Sequence, residues 1–193
     1  MRSFLTRFGK DEDGVVAIEL VLMVPILTWA FLSTYVYFDV FRVESSANRA
    51  ALTVADMFSR EETPIDDNYL DGARELLREL TFEEPNPDYR ITVYTFRQVQ
   101  DDYRVIWSRN RGLPDDLVHD DLEDVRDRLP SMANGDRVIL LETRVQYDAP
   151  FNIGFGPFTG TNLEDVVFNT FTVIRPRAPT LCWDQPAPVA DDC

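Results

Sequence analysis

The chain is constrained most by an apolar run from Val15 to Phe38, in which Glu19 is the only charged side chain. As a helix rising about 1.5 Å per residue, the run covers roughly 36 Å, enough to cross a hydrocarbon core of roughly 30 Å with some tilt. It is expected to span a membrane rather than to form part of a soluble core. A carboxylate inside such a span is costly unless it is paired, so Glu19 marks a functional site by default. Pro25 lies in the same run and cannot donate a backbone hydrogen bond, so a kink or loosened turn is expected there.

The flanks exclude a secretory signal. Such a signal has a shorter apolar region before a small-residue cleavage triplet, whereas here Ser33, Thr34, Tyr35, Val36, Tyr37 and Phe38 continue the run. Upstream, residues 1–14 are polar, with Arg2, Arg7 and Lys10 balanced by Asp11, Glu12 and Asp13. The motif Gly14-Val15-Val16-Ala17-Ile18-Glu19 resembles the processing site of type IV prepilins, in which a short charged leader is cut after a glycine and the fifth mature residue is glutamate. The longer run from Asp11 to Pro25 resembles the TadE and TadF pseudopilins of the tight-adherence (Flp, Tad) pilus. Major pilins of that system are shorter and commonly carry tyrosine after the glutamate, where this chain has Leu20; TadG-like relatives share the start but are longer.

The resemblance implies a minor pseudopilin, cut by a prepilin peptidase between Gly14 and Val15 and working with other pseudopilins and the pilus assembly machinery. It implies a single-pass inner-membrane protein with a cytoplasmic N-terminus and a periplasmic domain, and it leaves open incorporation into an extracellular pilus. Cleavage would leave the α-amino group of Val15 one helical turn from Glu19, since residues i and i+4 share a helix face. Among packed helices, Glu19 can neutralise the amino terminus of a neighbouring subunit, so that each buried charge finds a partner only in register. The plainer alternative is an uncleaved anchor carrying a periplasmic adaptor or binding domain, with Glu19 close enough to the interface to be tolerated. A periplasmic enzyme is the third class.

Charge narrows the partners. Acidic residues outnumber basic ones by 34 to 19, for a net charge of -15. Such a surface is repelled by nucleic-acid phosphates and by anionic membrane surfaces, so no nucleic-acid partner is expected. Basic residues near the span are Arg2, Arg7 and Lys10 before it and Arg42 and Arg49 after it, a slight asymmetry that favours a cytoplasmic leader. Tyr35 and Tyr37 suit the outer interface, whereas Trp29 lies deeper.

Beyond the membrane, Ala47, Ala50, Ala51, Val54, Ala55 and Phe58 recur at spacings of three and four, so the helix is expected to continue to Ser59, for a length of roughly 68 Å. Residues 60–176 are expected to form an α+β domain with helices packed on an antiparallel sheet of about four strands. Thr63 is expected to cap a second helix with Pro64 in its first position, and Ile65, Tyr69, Leu70, Ala73, Leu76, Leu77 and Leu80 form its apolar face. Asp88 to Val99 and Tyr103 to Ser108 form a predicted hairpin, the second strand with Tyr103, Val105 and Trp107 on one face. A third helix is predicted from Asp115 to Leu129. After the Asn134-Gly135 turn a strand follows from Val138 to Tyr147, with Ile139, Leu141, Thr143, Val145 and Tyr147 inward. The last strand is predicted at Val166 to Ile174.

Residues 177–193 read as a Pro/Ala-rich tail holding the two cysteines. A disulfide between Cys182 and Cys193 would close a loop of about ten residues and contribute roughly 2 to 3 kcal/mol; two free thiols are the alternative. Little else suggests chemistry. His119, the single histidine, neighbours Asp120 and Asp121 and is expected to be solvated. The cluster Asp115, Asp116, Asp120, Asp121, Glu123 and Asp124 lacks the spacing and glycine of a calcium loop. The Gly154 to Gly160 loop lacks the lysine of a phosphate cradle, and its neighbours Phe151, Phe155 and Phe158 are either a contact patch or core. No catalytic residue, metal or cofactor is expected.

Overall fold

In a computed structural model, which describes residues 15–82, 86–150, 166–177 and 181–184, the apolar run and the amphipathic stretch after it form one helix, α1 (Val15–Ser59). Its 45 residues continue through Pro25 without interruption. The expected core face is buried, from Ala47 through Phe58, and Val36 and Val43 extend it downward. The alanines among these let the helix backbone lie close to the domain.

A second helix, α2 (Asp67–Thr81), starts later than Thr63 and Pro64 suggested. Its cap is Asp66, whose carboxylate accepts the Tyr69 N–H at 2.8 Å, while the Thr63 hydroxyl turns back to donate to Glu61 at 2.6 Å. The residues between stay extended because Ile65, fully buried, forms a parallel bridge with Trp183. Leu70, Ala73 and Leu77 then face inward, with Tyr69, Leu76 and Leu80 partly buried around them.

Four antiparallel strands follow: β1 (Asp88–Arg97), β2 (Asp102–Arg111), β3 (Arg137–Gln146) and β4 (Val167–Ile174), in the spatial order β2-β1-β3-β4. The chain is therefore α+β, with a four-stranded antiparallel sheet behind a long apolar helix. The predicted hairpin is β1-β2, and Gly135, at φ +80°, turns the chain into β3 with its N–H bonded to the Phe96 carbonyl at 2.9 Å.

Both sheet faces are covered, which single-face alternation did not anticipate. Tyr89, Ile91, Val93, Trp107, Ile139 and Leu141 pack against α1 and α2. On the other face Tyr94, Tyr103, Val105, Val138 and Leu140 pack under Leu122 and Leu129. Tyr103, Val105 and Trp107 do not share a face as predicted. The register shifts between Val93/Tyr94, which pair with Trp107 and Val105, so Ile106 is a bulged extra residue that sends Trp107 to the helix side.

The predicted helix from Asp115 to Leu129 is reduced to α3 (His119–Asp124) and a 3-10 turn at Arg126–Arg128. Residues 115–118 are held extended along β2. Asn110 donates to Asp116 at 2.8 Å, the Leu117 N–H donates to the Ser108 hydroxyl at 3.0 Å, and Arg90 donates to the Asp115 carbonyl at 2.8 Å. The stretch read as a tail also enters the core: Leu181, Cys182 and Trp183 are buried, and Ile65 exchanges backbone hydrogen bonds with Cys182 and Asp184 at 2.8 and 2.9 Å.

Candidate functional site

The first candidate is the free arm of α1. From Ile18 to Phe31 every side chain is exposed, including Val21 at 67% and Phe31 at 71%. A soluble surface does not leave so long an apolar cylinder in water, and among the described residues α1 is the one helix long and apolar enough to cross a membrane. Glu19 sits on this arm, exposed between Ile18 and Leu20, with no hydrogen bond or ion pair among the described residues. Whatever neutralises its carboxylate in an apolar setting comes from outside the described residues. Gly14 lies outside the described residues, and Val15 opens α1.

The lower half of α1 meets the domain at Val36, which is fully buried. One turn above, Asp39 accepts a hydrogen bond from the Tyr147 hydroxyl at 3.1 Å and pairs with Arg42 at 2.8 Å. These contacts fix the end of β3 to the helix just above the arm. Sequence reading missed Asp39 in this role, although it is the first charged residue after Glu19.

The second candidate is a cleft of about 490 Å³ beside β2, walled by Val105 to Arg109 and by Asp116 to Asp120. Ser108, His119 and Asp120 share it, a combination that would interest a search for hydrolytic chemistry. The Ser108 hydroxyl and His119 Nδ1 are engaged otherwise. The Ser108 hydroxyl is buried against Thr92 Oγ1 at 2.8 Å and the Leu117 N–H, and His119 Nδ1 accepts the Val105 N–H at 3.2 Å. His119 is exposed as expected, but it also caps the edge of β2.

Three members of the acidic cluster have local structural roles. Asp116 lies 3.7 Å from Arg109, Glu123 pairs with Arg126 at 3.0 Å, and Asp121 accepts the Val118 N–H at 2.8 Å. Among the described residues no group of three or more His, Cys, Asp or Glu is arranged to hold a metal ion. Elsewhere, burial pushes the Tyr89 and Tyr94 phenols upward, and burial together with Glu61 pushes Tyr69 up to about 12. Tyr89 donates its proton to the Leu70 carbonyl at 2.7 Å, so its role is to join the sheet to α2.

Cys182 is disulfide-bonded and buried; Cys193 lies outside the described residues, as do Phe151, Phe155, Phe158 and the loop from Gly154 to Gly160. Next to Cys182, Trp183 lies against Trp107 with ring centroids 5.9 Å apart and under the Arg109 guanidinium at 4.7 Å. The Trp107 indole N–H donates to the Leu181 carbonyl at 3.0 Å. The signal for this closure was present in the sequence as Leu-Cys-Trp, three core-type residues within a Pro/Ala-rich stretch.

The geometry defines a class: an α+β domain carried on a long helix whose free end is apolar and bears one carboxylate. No protein-family model matches the chain, and comparison with curated proteins and with solved structures finds no match.

Proposed function

We propose that this chain is a minor pseudopilin of the TadE/TadF kind, which takes part in assembling a tight-adherence, type IV-like pilus. In this reading a prepilin peptidase cuts between Gly14 and Val15, the arm of α1 sits in the inner membrane, and the domain faces the periplasm. Glu19 then pairs with the new α-amino group of an adjacent subunit, and the subunits pack through their N-terminal helices. The observation that carries the proposal is Glu19 itself, an exposed carboxylate without a partner among the described residues, five residues after Gly14. A lone buried charge is unfavourable in lipid, while a charge paired across helices is tolerated and sets their register.

Mass spectrometry of the protein from cells that contain the peptidase is expected to find Val15 at the amino terminus, and Gly14→Ala is expected to abolish that species. Recovery of intact Met1 would support the uncleaved adaptor instead. Glu19→Val is expected to insert normally but to lose co-purification with sister subunits. Unchanged co-purification of Glu19→Val would remove charge pairing from the proposal.

A further inference from the structure

We propose that the domain is seated directly on the bilayer, its lower rim in the headgroup layer, with Tyr35, Tyr37, Phe38 and Phe41 forming an aromatic collar at the interface. This rests on α1 spanning the membrane and adds the surface by which the domain itself meets lipid. The helix supplies the first reason. It passes from the arm into the domain without a break, and Val36 and Val43 are 0% and 2% exposed, so no linker separates the two. From Val15 to Tyr35 the helix rises about 31 Å, the thickness of a hydrocarbon core of roughly 30 Å. The hydrocarbon boundary therefore falls where the domain takes hold.

The collar supplies the second reason. Around α1 at this level, Tyr35, Tyr37, Phe38 and Phe41 are 49%, 54%, 67% and 49% exposed. Tyr37 contacts Phe41 and Phe38 edge-on, with centroids 4.9 and 6.0 Å apart. A contiguous aromatic patch is unfavourable in water, whereas aromatic rings settle at headgroup level. Between Glu19 and Asp39 there is no charged residue, so the helix becomes compatible with water at the collar. Asp39 lies about 6 Å above Tyr35 along the axis, inside a headgroup layer of roughly 5 to 7 Å on each side. The Tyr147 hydroxyl bonds Asp39 at 3.1 Å, and Tyr147 packs on Phe168 at 6.5 Å, so the end of β3 and the start of β4 share that level. The chain carries a net charge of -15 and is repelled by anionic headgroups, so the surface its domain fits is zwitterionic.

The test places a nitroxide, through a ketone-bearing unnatural residue that spares the cysteines, at Phe31, Phe41, Leu52 or Asp148 of the full chain in phosphatidylcholine nanodiscs. Relative accessibility to oxygen and to a water-soluble nickel chelate reports depth. Phe31 is expected to read as hydrocarbon, Phe41 and Asp148 as headgroup, and Leu52 as water. If Phe41 and Asp148 read as freely aqueous while Phe31 remains in hydrocarbon, the seat is refuted and the span stands. If Phe31 also reads as aqueous, the span itself fails. Raising phosphatidylglycerol is expected to move the Asp148 label toward water, and an inward shift would overturn the stated preference for zwitterionic lipid.

Discussion

Two tryptophans of similar burial in one cluster should respond differently to the same substitution. Trp107 and Trp183 are 5% and 6% exposed and lie tilted against each other, ring centroids 5.9 Å apart. The Trp107 N–H is bonded to the Leu181 carbonyl, while the Trp183 N–H is buried without a partner among the described residues. Replacing either by phenylalanine removes the same indole volume, so the cavity costs are comparable and the N–H dominates the difference. At Trp107 the change breaks a hydrogen bond and leaves a carbonyl unpaired, for about 1 to 3 kcal/mol; at Trp183 it relieves an unpaired donor. Trp107→Phe should therefore be less stable than Trp183→Phe by about 2 kcal/mol, more than tenfold in the folding equilibrium. Trp183→Ala, by contrast, should cost about 3 kcal/mol, because it empties the site between Ile65, Trp107 and Arg109. Urea unfolding of the full chain in detergent, followed by near-ultraviolet dichroism, measures these differences at constant slope. Equal midpoints for the two phenylalanine variants would refute the assignment of the hydrogen bond. A silent Trp183→Ala would refute the place of the C-terminal segment in the core.

Other expectations follow from individual contacts. Asp66→Ala should lower the thermal midpoint whereas Thr63→Ala should leave it nearly unchanged, because Asp66 caps α2 and Thr63 does not. Gly112→Ala should destabilise by at least about 2 kcal/mol in chemical denaturation, since Gly112 has φ +91° and a Cβ there would stand 1.8 Å from Asp88 Oδ1. Gly135→Ala, with φ +80° and nothing within 4 Å, should cost less. Alkali should unfold the domain from about pH 10, because the unfolded chain ionises its tyrosines there, while burial raises Tyr89 and Tyr94. Their contribution is complete below the unfolded value and is lost as pH rises through the folded one. Absorbance at 295 nm should show at least two tyrosines titrating only with unfolding; free titration of all of them in the folded state would contradict the burial of Tyr89 and Tyr94.

The long helix was legible because its evidence is local: apolar composition to Phe38, then a three-and-four spacing that the fold buries residue for residue from Ala47 to Phe58. The sheet was legible strand by strand for the same reason. What escaped was decided by tertiary pairing. Ile106 looks like any strand residue, yet its bulge reverses the facing of Trp107 relative to Val105. Leu117 and Val118 fit a helical stripe, yet Ser108 and Asn110 hold the segment extended until His119. Thr63-Pro64 is a good start signal that lost to Asp66, because Ile65 is drawn into a bridge with a residue more than a hundred positions away. At the candidate site, Glu19 was visible from charge alone, whereas Asp39 became meaningful only when Tyr147 was found beside it.

These long-range contacts bear on how the arm and the domain communicate. Displacing the arm alone would require the helix to bend between Phe31 and Val43, where Val36 and Val43 are buried and Asp39 is tied to both Arg42 and Tyr147. Higher up, the alanine face and Phe58 lie in one continuous core with both tryptophans and the inner sheet face. Packed interiors of this kind resist continuous deformation. The one local weakness in the arm is Pro25, which leaves the Val21 carbonyl without its usual helical donor. A force on Glu19 from a neighbouring helix is therefore either absorbed at Pro25 or passed to the domain as a rigid displacement. Pro25→Ala restores the missing bond, so it should stiffen the arm without changing the domain's unfolding midpoint. Hydrogen exchange localised to residues 21–25 would register that stiffening, and unchanged exchange there would show that the weakness lies elsewhere.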